Sequence, residues 1–150
     1  MTTTTIAIQD RYLDEYANCF GCGRNNPHGL HLKSFVEGDE IVCRYTPPLD
    51  CTGGATDLLY GGMIASLFDC HAGATVAAAV SRDNEIPPRF VTASLKVDFL
   101  KPTPMGVTLT LFAKAIEVKG RKVLVESRLV ARGEIHATAQ AVMVRLVAKK

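Results

Sequence analysis

The chain has 150 residues, of which 47% are hydrophobic and 21% charged, and its formal net charge is +2. That length and apolar content suit a single domain spanning residues 1–150 with a real core. The near-balance of charge argues against the basic stripe of a nucleic-acid binder; a small phosphate-bearing ligand, which needs only a few local cations, stays compatible.

The N-terminal "MTTTTIAIQDRYLDEY" lacks the charged-then-apolar order of a secretory leader. Five cysteines without such a leader read as reduced thiols, so a cytoplasmic protein is expected. "DRYLDEYANC" predicts a short N-terminal helix, and "CFGCGRNNPHGL" completes an N-terminal segment, 1–30, as a loop of glycine, asparagine and proline. "LHLKSFV" and "EIVCRYT" predict two strands around the turn "EGD", and "PPLDCTGGATD" is loop again. Residues 61–80 predict one helix, opened by glycines and apolar nearly all round, hence buried on most sides. Its apolar run is broken by Asp69 and His71 and is rich in alanine and glycine, so no membrane span is expected.

After "RDNEIPP" the period changes to two. In "FVTASLKVDFLK", Ala93, Leu95, Val97 and Phe99 fall on one face and Thr92, Ser94, Lys96 and Asp98 on the other. Pro102 and Pro104 end this strand. "GVTLTLFAKAIEV", "RKVLVESRLVA" and "EIHATAQAVMVRLVA" follow as three strands joined by "KG" and "RG", an antiparallel meander. The expected class is α+β, with one long helix wrapped by a single antiparallel sheet.

One feature of the helix calls for chemistry. Between Met63 and Val80, Asp69 is the only formally charged side chain, eight residues after Gly61. "YGGMIASLFDCHAG", together with "CFGCGRNNPHGLHL" before it and "VTASLKVDFLKPTPMG" after it, resembles the hotdog-fold acyl-CoA thioesterases. The similarity is to the phenylacetate-pathway group within the 4-hydroxybenzoyl-CoA thioesterase superfamily. The resemblance implies that the Gly61 N–H, with Gly62 beside it, polarises a thioester carbonyl. It implies that Asp69 is general base or nucleophile, and that Thr92 orients the attacking water. Tyr60 stands where many members have histidine and reads as a packing residue beside the site. The family also implies a homodimer, or a dimer of dimers, acting on acyl-CoA, with coenzyme A part of the substrate and no separate cofactor. Non-catalytic acyl-CoA binders share the fold and form the alternative.

Elementary physics agrees with these assignments. An N–H at a helix start is unpaired and lies at the positive end of the dipole, suited to a developing oxyanion. A carboxylate among apolar side chains is poorly solvated, which suits it to take a proton. Eight helical residues span about 12 Å, too far for both groups to serve one carbonyl. Two antiparallel helices from a two-fold dimer bring Gly61 of one chain to Asp69 of the other. The competing readings are a structural acid at Asp69, close helix packing at Gly61 and Gly62, and an ordinary strand threonine at Thr92.

The remaining candidates are weaker. His71, two residues from Asp69, points to another helix face and reads as structural or interfacial. Cys19 and Cys22 form a C-x-x-C, but only His28 and His31 lie near in sequence, so a packed loop and no metal are expected. Arg121 and Lys122 at a hairpin tip and Arg89 before the strand of Thr92 are the expected contacts for CoA phosphates. An acyl tunnel is expected beside Met63, Leu67 and Phe68.

Overall fold

The computed structural model describes residues 6–83 and 85–147. It has six strands and one long helix: β1 Ser34–Glu37, β2 Glu40–Tyr45, α1 Gly61–Val80, β3 Phe90–Phe99, β4 Leu109–Lys119, β5 Lys122–Ala131 and β6 Glu134–Arg145. The strands form one antiparallel sheet in the order β1-β2-β4-β5-β6-β3. One helix lies against one sheet, as the hotdog resemblance implies. The meander is closed by Gly120 and Gly133, both at positive φ (62° and 77°), where glycine carries no steric penalty.

Helix α1 begins and ends where the sequence places it. Tyr60 is extended (φ −74°, ψ 145°), and Ser81 returns to extended geometry (φ −137°) at the other end. Met63, Ile64, Leu67 and Phe68 are buried against Leu109, Leu111, Leu129 and the alanines of β6. Burying a side chain such as Leu67 or Phe68 contributes about 2 kcal/mol. The inward row of β6, Ala137, Ala139 and Ala141, is short, which leaves room for the helix. Among the described residues α1 is the one helix that is, by length and composition, apolar enough to cross a bilayer, and most of it is buried within the fold.

Four expectations need correction. "DRYLDEYANC" forms no continuous helix; it makes two 3-10 turns, Ile8–Arg11 and Asp14–Tyr16, neither with a side-chain cap. Tyr12 between them is extended (φ −66°, ψ 145°) and interrupts the helical ladder. Strand β1 starts at Ser34 rather than near Leu30, because His31 adopts a left-handed conformation (φ 55°). Strand β4 starts at Leu109, beyond Gly106 at φ 77°. The alternation in β3 breaks at a bulge: Thr92 pairs with Met143 but Ser94 with Val142, leaving Ala93 as the extra residue. Thr92 therefore shares the helix-facing side with Leu95 and Val97 instead of opposing them. The end of the predicted last strand, residue 148, and residues 1–5 of the leader reading lie outside the described residues.

A buried polar chain ties the N-terminal segment to the helix. His71 is fully buried; its Nε2–H donates to the Ile41 carbonyl (3.0 Å), and its Nδ1 accepts from the Ser34 hydroxyl (2.8 Å). Ser34 Oγ accepts in turn from Gln9 Nε2 (2.9 Å), and the Ser34 N–H donates to Gln9 Oε1 (2.8 Å). Every donor is used by the neutral imidazole, so His71 is structural. Burial pushes His71 down to about 4, and the hydrogen bond to Ile41 only partly opposes this. The unfolded chain, with an ordinary histidine, then binds more protons than the folded one between pH 6.5 and 4. Stability is whole above pH 6.5 and falls with acidification through this window, by about 2 kcal/mol at pH 5. The urea midpoint should drop between pH 7 and 5 in the native chain, and this slope should flatten in His71→Gln. An equal slope in both would take His71 out of the pH response.

Candidate active site

The helix opens without a side-chain cap at Tyr60. The N–H groups of Gly61 and Gly62 lie in the first turn, where helix geometry offers them no partner. Both glycines are exposed. Their small size has separate causes. A Cβ on Gly62 would fall 2.3 Å from the Tyr60 ring, which lies across it, while a Cβ on Gly61 would stand 3.4 Å from the ring of Phe99. Tyr60 is 43% exposed, and its ring lies beside the helix start.

Asp69 sits two turns further along α1. It is half-exposed, not enclosed by apolar side chains as its flanking sequence suggests. Its Oδ1 accepts a hydrogen bond from Thr92 Oγ1 at 2.5 Å. The bulge at Ala93 makes this contact by turning Thr92 inward, where its hydroxyl also lies 3.5 Å from Met143 Sδ. Strand β3 thus borders both features: Phe99 lies at Gly61, and Thr92 at Asp69.

Asp69 and Thr92 line a cavity of about 370 Å³ whose walls include Tyr12, Tyr16, Pro88, Phe90 and Arg89. Met63, Leu67 and Phe68 do not line this cavity; all three are buried in the core. Gly61, Gly62 and Tyr60 are likewise absent from this lining, so within one chain the free amides and the acid do not converge.

The three expected cations do gather. Phe90 pairs with Arg145, Lys122 with Val144, and the Arg145 N–H donates to the Arg121 carbonyl (2.8 Å). Arg89, Arg121, Lys122 and Arg145 therefore share one end of the sheet, next to the cavity mouth at Arg89. Arg89 also lies over the Tyr16 ring, 4.1 Å from its centroid. Sequence reasoning missed Arg145, since only strand register reveals it.

It also missed Cys70. Cys19, Cys22 and Cys70 meet on the cavity wall with all three sulfurs within 4.8 Å of one another. Hydrogen bonds from Cys22 and then Cys70 draw Cys19 well below the usual thiol range. Cys22 and Cys70 are pushed up, each chiefly by its hydrogen bond to Cys19. Burial likewise raises Tyr12 beside them.

Comparison with known proteins places this geometry. The family described as Thioesterase superfamily matches residues 57–137, the stretch that carries α1 and β3 to β5 in full. A thioesterase superfamily protein from Shewanella loihica is 39% identical, with a TM-score of 0.68, over 89% of this chain and 98% of that one. A Bacillus halodurans protein solved with CoA is 21% identical, with a TM-score of 0.69, over 84% and 83% of the two chains; at that identity it is a likeness of fold. Acyl-coenzyme A thioesterase THEM4 of Xenopus laevis is 28% identical over 108 residues, which are 71% of this chain and 45% of that protein. The chain thus spans about half the length of that relative.

Proposed function

The chain belongs to the thioesterase superfamily, and from that membership we propose that it hydrolyses an acyl-CoA thioester to free acid and CoA, as a homodimer with shared sites. The observation that carries the reading is Asp69: the lone acid of α1, half-exposed on a cavity and held by the Thr92 hydroxyl. Asp69 takes a proton from a water positioned with the help of Thr92. The water oxygen attacks the thioester carbon, and the carbonyl oxygen becomes an oxyanion. The Gly61 N–H, assisted by Gly62, stabilises that charge more than it stabilises the ground state. The C–S bond then breaks, and the CoA sulfur leaves and takes up a proton. With Asp69 as nucleophile instead, an acyl anhydride precedes the water step; the residues are the same.

The free edge supports the dimer. Strand β3 ends the sheet order, is ten residues long and is largely exposed, with unpaired backbone groups along one side. Antiparallel pairing of two β3 strands about a two-fold axis at Lys96 sets Leu95 opposite the partner's Val97 and brings the Thr92–Ala93 bulge of one protomer to Phe99 of its partner. Each acid then approaches the other chain's helix start, which the 12 Å span within one helix (about eight residues of rise) forbids internally. Arg89, Arg121 and Lys122, joined by Arg145, offer the charge for CoA phosphates at the cavity mouth. The CoA seen in the Bacillus halodurans protein is consistent with such a ligand. The five free cysteines suit a reducing, cytoplasmic setting.

A panel of acyl-CoAs assayed by free-thiol release tests this reading. Saturable release from at least one thioester is expected. Tight acyl-CoA binding with no thiol released from any of them would replace it with the non-catalytic binder.

A further inference from the structure

We propose that Cys19, Cys22 and Cys70 form a binding site for a thiophilic d10 cation, zinc(II), on the wall of the cavity. The expectation of no metal rested on donors close to Cys19 and Cys22 in sequence. The third donor comes instead from the middle of α1, and the fold delivers it.

The geometry suits such an ion. Cys19 Sγ and Cys70 Sγ are 3.8 Å apart, and all three sulfurs lie within 4.8 Å. Zinc–sulfur bonds of about 2.3 Å in a tetrahedron separate neighbouring sulfurs by about 3.8 Å. The loop that carries two of the thiols is shaped around them. The Gly23 N–H donates to the Cys19 carbonyl (2.7 Å) and closes the C-x-x-C turn. The backbone N–H groups of Cys22 and Gly21 favour the charged form of Cys19, as suits a metal-bound thiolate. A Cβ on Gly21 would stand 2.2 Å from Cys70 Sγ, so glycine is what lets the loop lie directly over the helix thiol. A Cβ on Gly23 would stand 2.4 Å from the Cys19 nitrogen, which holds the turn equally tight.

Among the described residues no fourth donor joins this group. Since all three thiols line the cavity, the fourth place of a tetrahedral ion opens onto it, for solvent or for a ligand's soft atom. The ion would also pin the N-terminal loop to the helix beside Asp69. The proposal does not depend on thioester chemistry, and its test reads metal alone.

Metal-free, reduced protein titrated anaerobically with cobalt(II) should develop thiolate-to-cobalt charge-transfer absorption and the strong visible bands of a tetrahedral ion. These should saturate at one cobalt per chain and vanish on adding zinc(II). Cys43→Ser should leave the spectrum unchanged, and Cys70→Ser should abolish the charge-transfer band. If Cys70→Ser does not fold, alkylation of the native chain decides: zinc(II) should slow modification of the exposed Cys19 at least about tenfold, since only the free thiolate reacts. Absence of the charge-transfer band, its persistence in folded Cys70→Ser, or unprotected Cys19 would each overturn the proposal. So would a trio that responds only by forming a disulfide, with no cobalt band after reduction.

Discussion

Asp69→Asn is expected to lower acyl-CoA turnover at least about a hundredfold, the usual scale for loss of a general base. The substitution is close to isosteric. Its amide oxygen can still accept the Thr92 hydrogen bond, so the contact that seats residue 69 survives. Folding and acyl-CoA affinity should therefore be retained, and the loss should fall on kcat rather than on KM, as for a group acting only in the transition state. Circular dichroism, ligand titration and thiol release on the same preparation separate these terms. Near-normal turnover in a well-folded variant would remove Asp69 from the mechanism and leave it the structural acid of the competing reading.

A second effect, one that isolates the shared site, is expected from mixing two dead variants. Gly61→Pro removes the proposed oxyanion N–H at the first helical position, where proline is well accommodated. Tyr60 is already extended (φ −74°, ψ 145°), the conformation that a following proline demands. The Phe99 ring near Gly61 is 56% exposed and free to give way. Gly61→Pro and Asp69→Asn homodimers should each be nearly inactive. Refolded together in equal amounts with random pairing, half the dimers are mixed, and each mixed dimer has one intact site and one doubly defective site. Activity should return to about a quarter of wild type. No recovery despite tag-confirmed mixed dimers would mean that Gly61 and Asp69 do not act across an interface.

The parts of this structure that were legible in sequence are those with local causes. Helix α1 has its glycine start and its polar stop at Ser81, and the meander has glycines where positive φ is needed. Asp69 stood out because its apolar surroundings made a charge conspicuous. What was not legible depends on contacts between distant segments. Cys70 lies 51 residues from Cys19 in sequence, and no local spacing joins them. Arg145 reaches Arg89 and Arg121 only through register. The N-terminal turns look helical by composition, but tertiary burial of Ala7, Ile8 and Ala17 outweighs the weak local preference.

The bulge at Ala93 works as a parity switch. Before it, the even-numbered Phe90 and Thr92 face the helix; after it, the odd-numbered Leu95 and Val97 do. A side-chain period of two has only these two phases, so one surplus residue inverts the strand without disturbing its neighbours. Deleting Ala93 would keep the pairing of Leu95 and Val97 and leave Thr92, now two residues before Leu95 instead of three, still facing the helix; straightening the strand with Ala93 in place would send the Thr92 hydroxyl to the far side of the sheet. A relative built without the surplus residue must therefore carry its hydroxyl at the opposite parity to meet the same carboxylate. Aligned letter for letter, the two would seem to disagree at the position where their chemistry coincides.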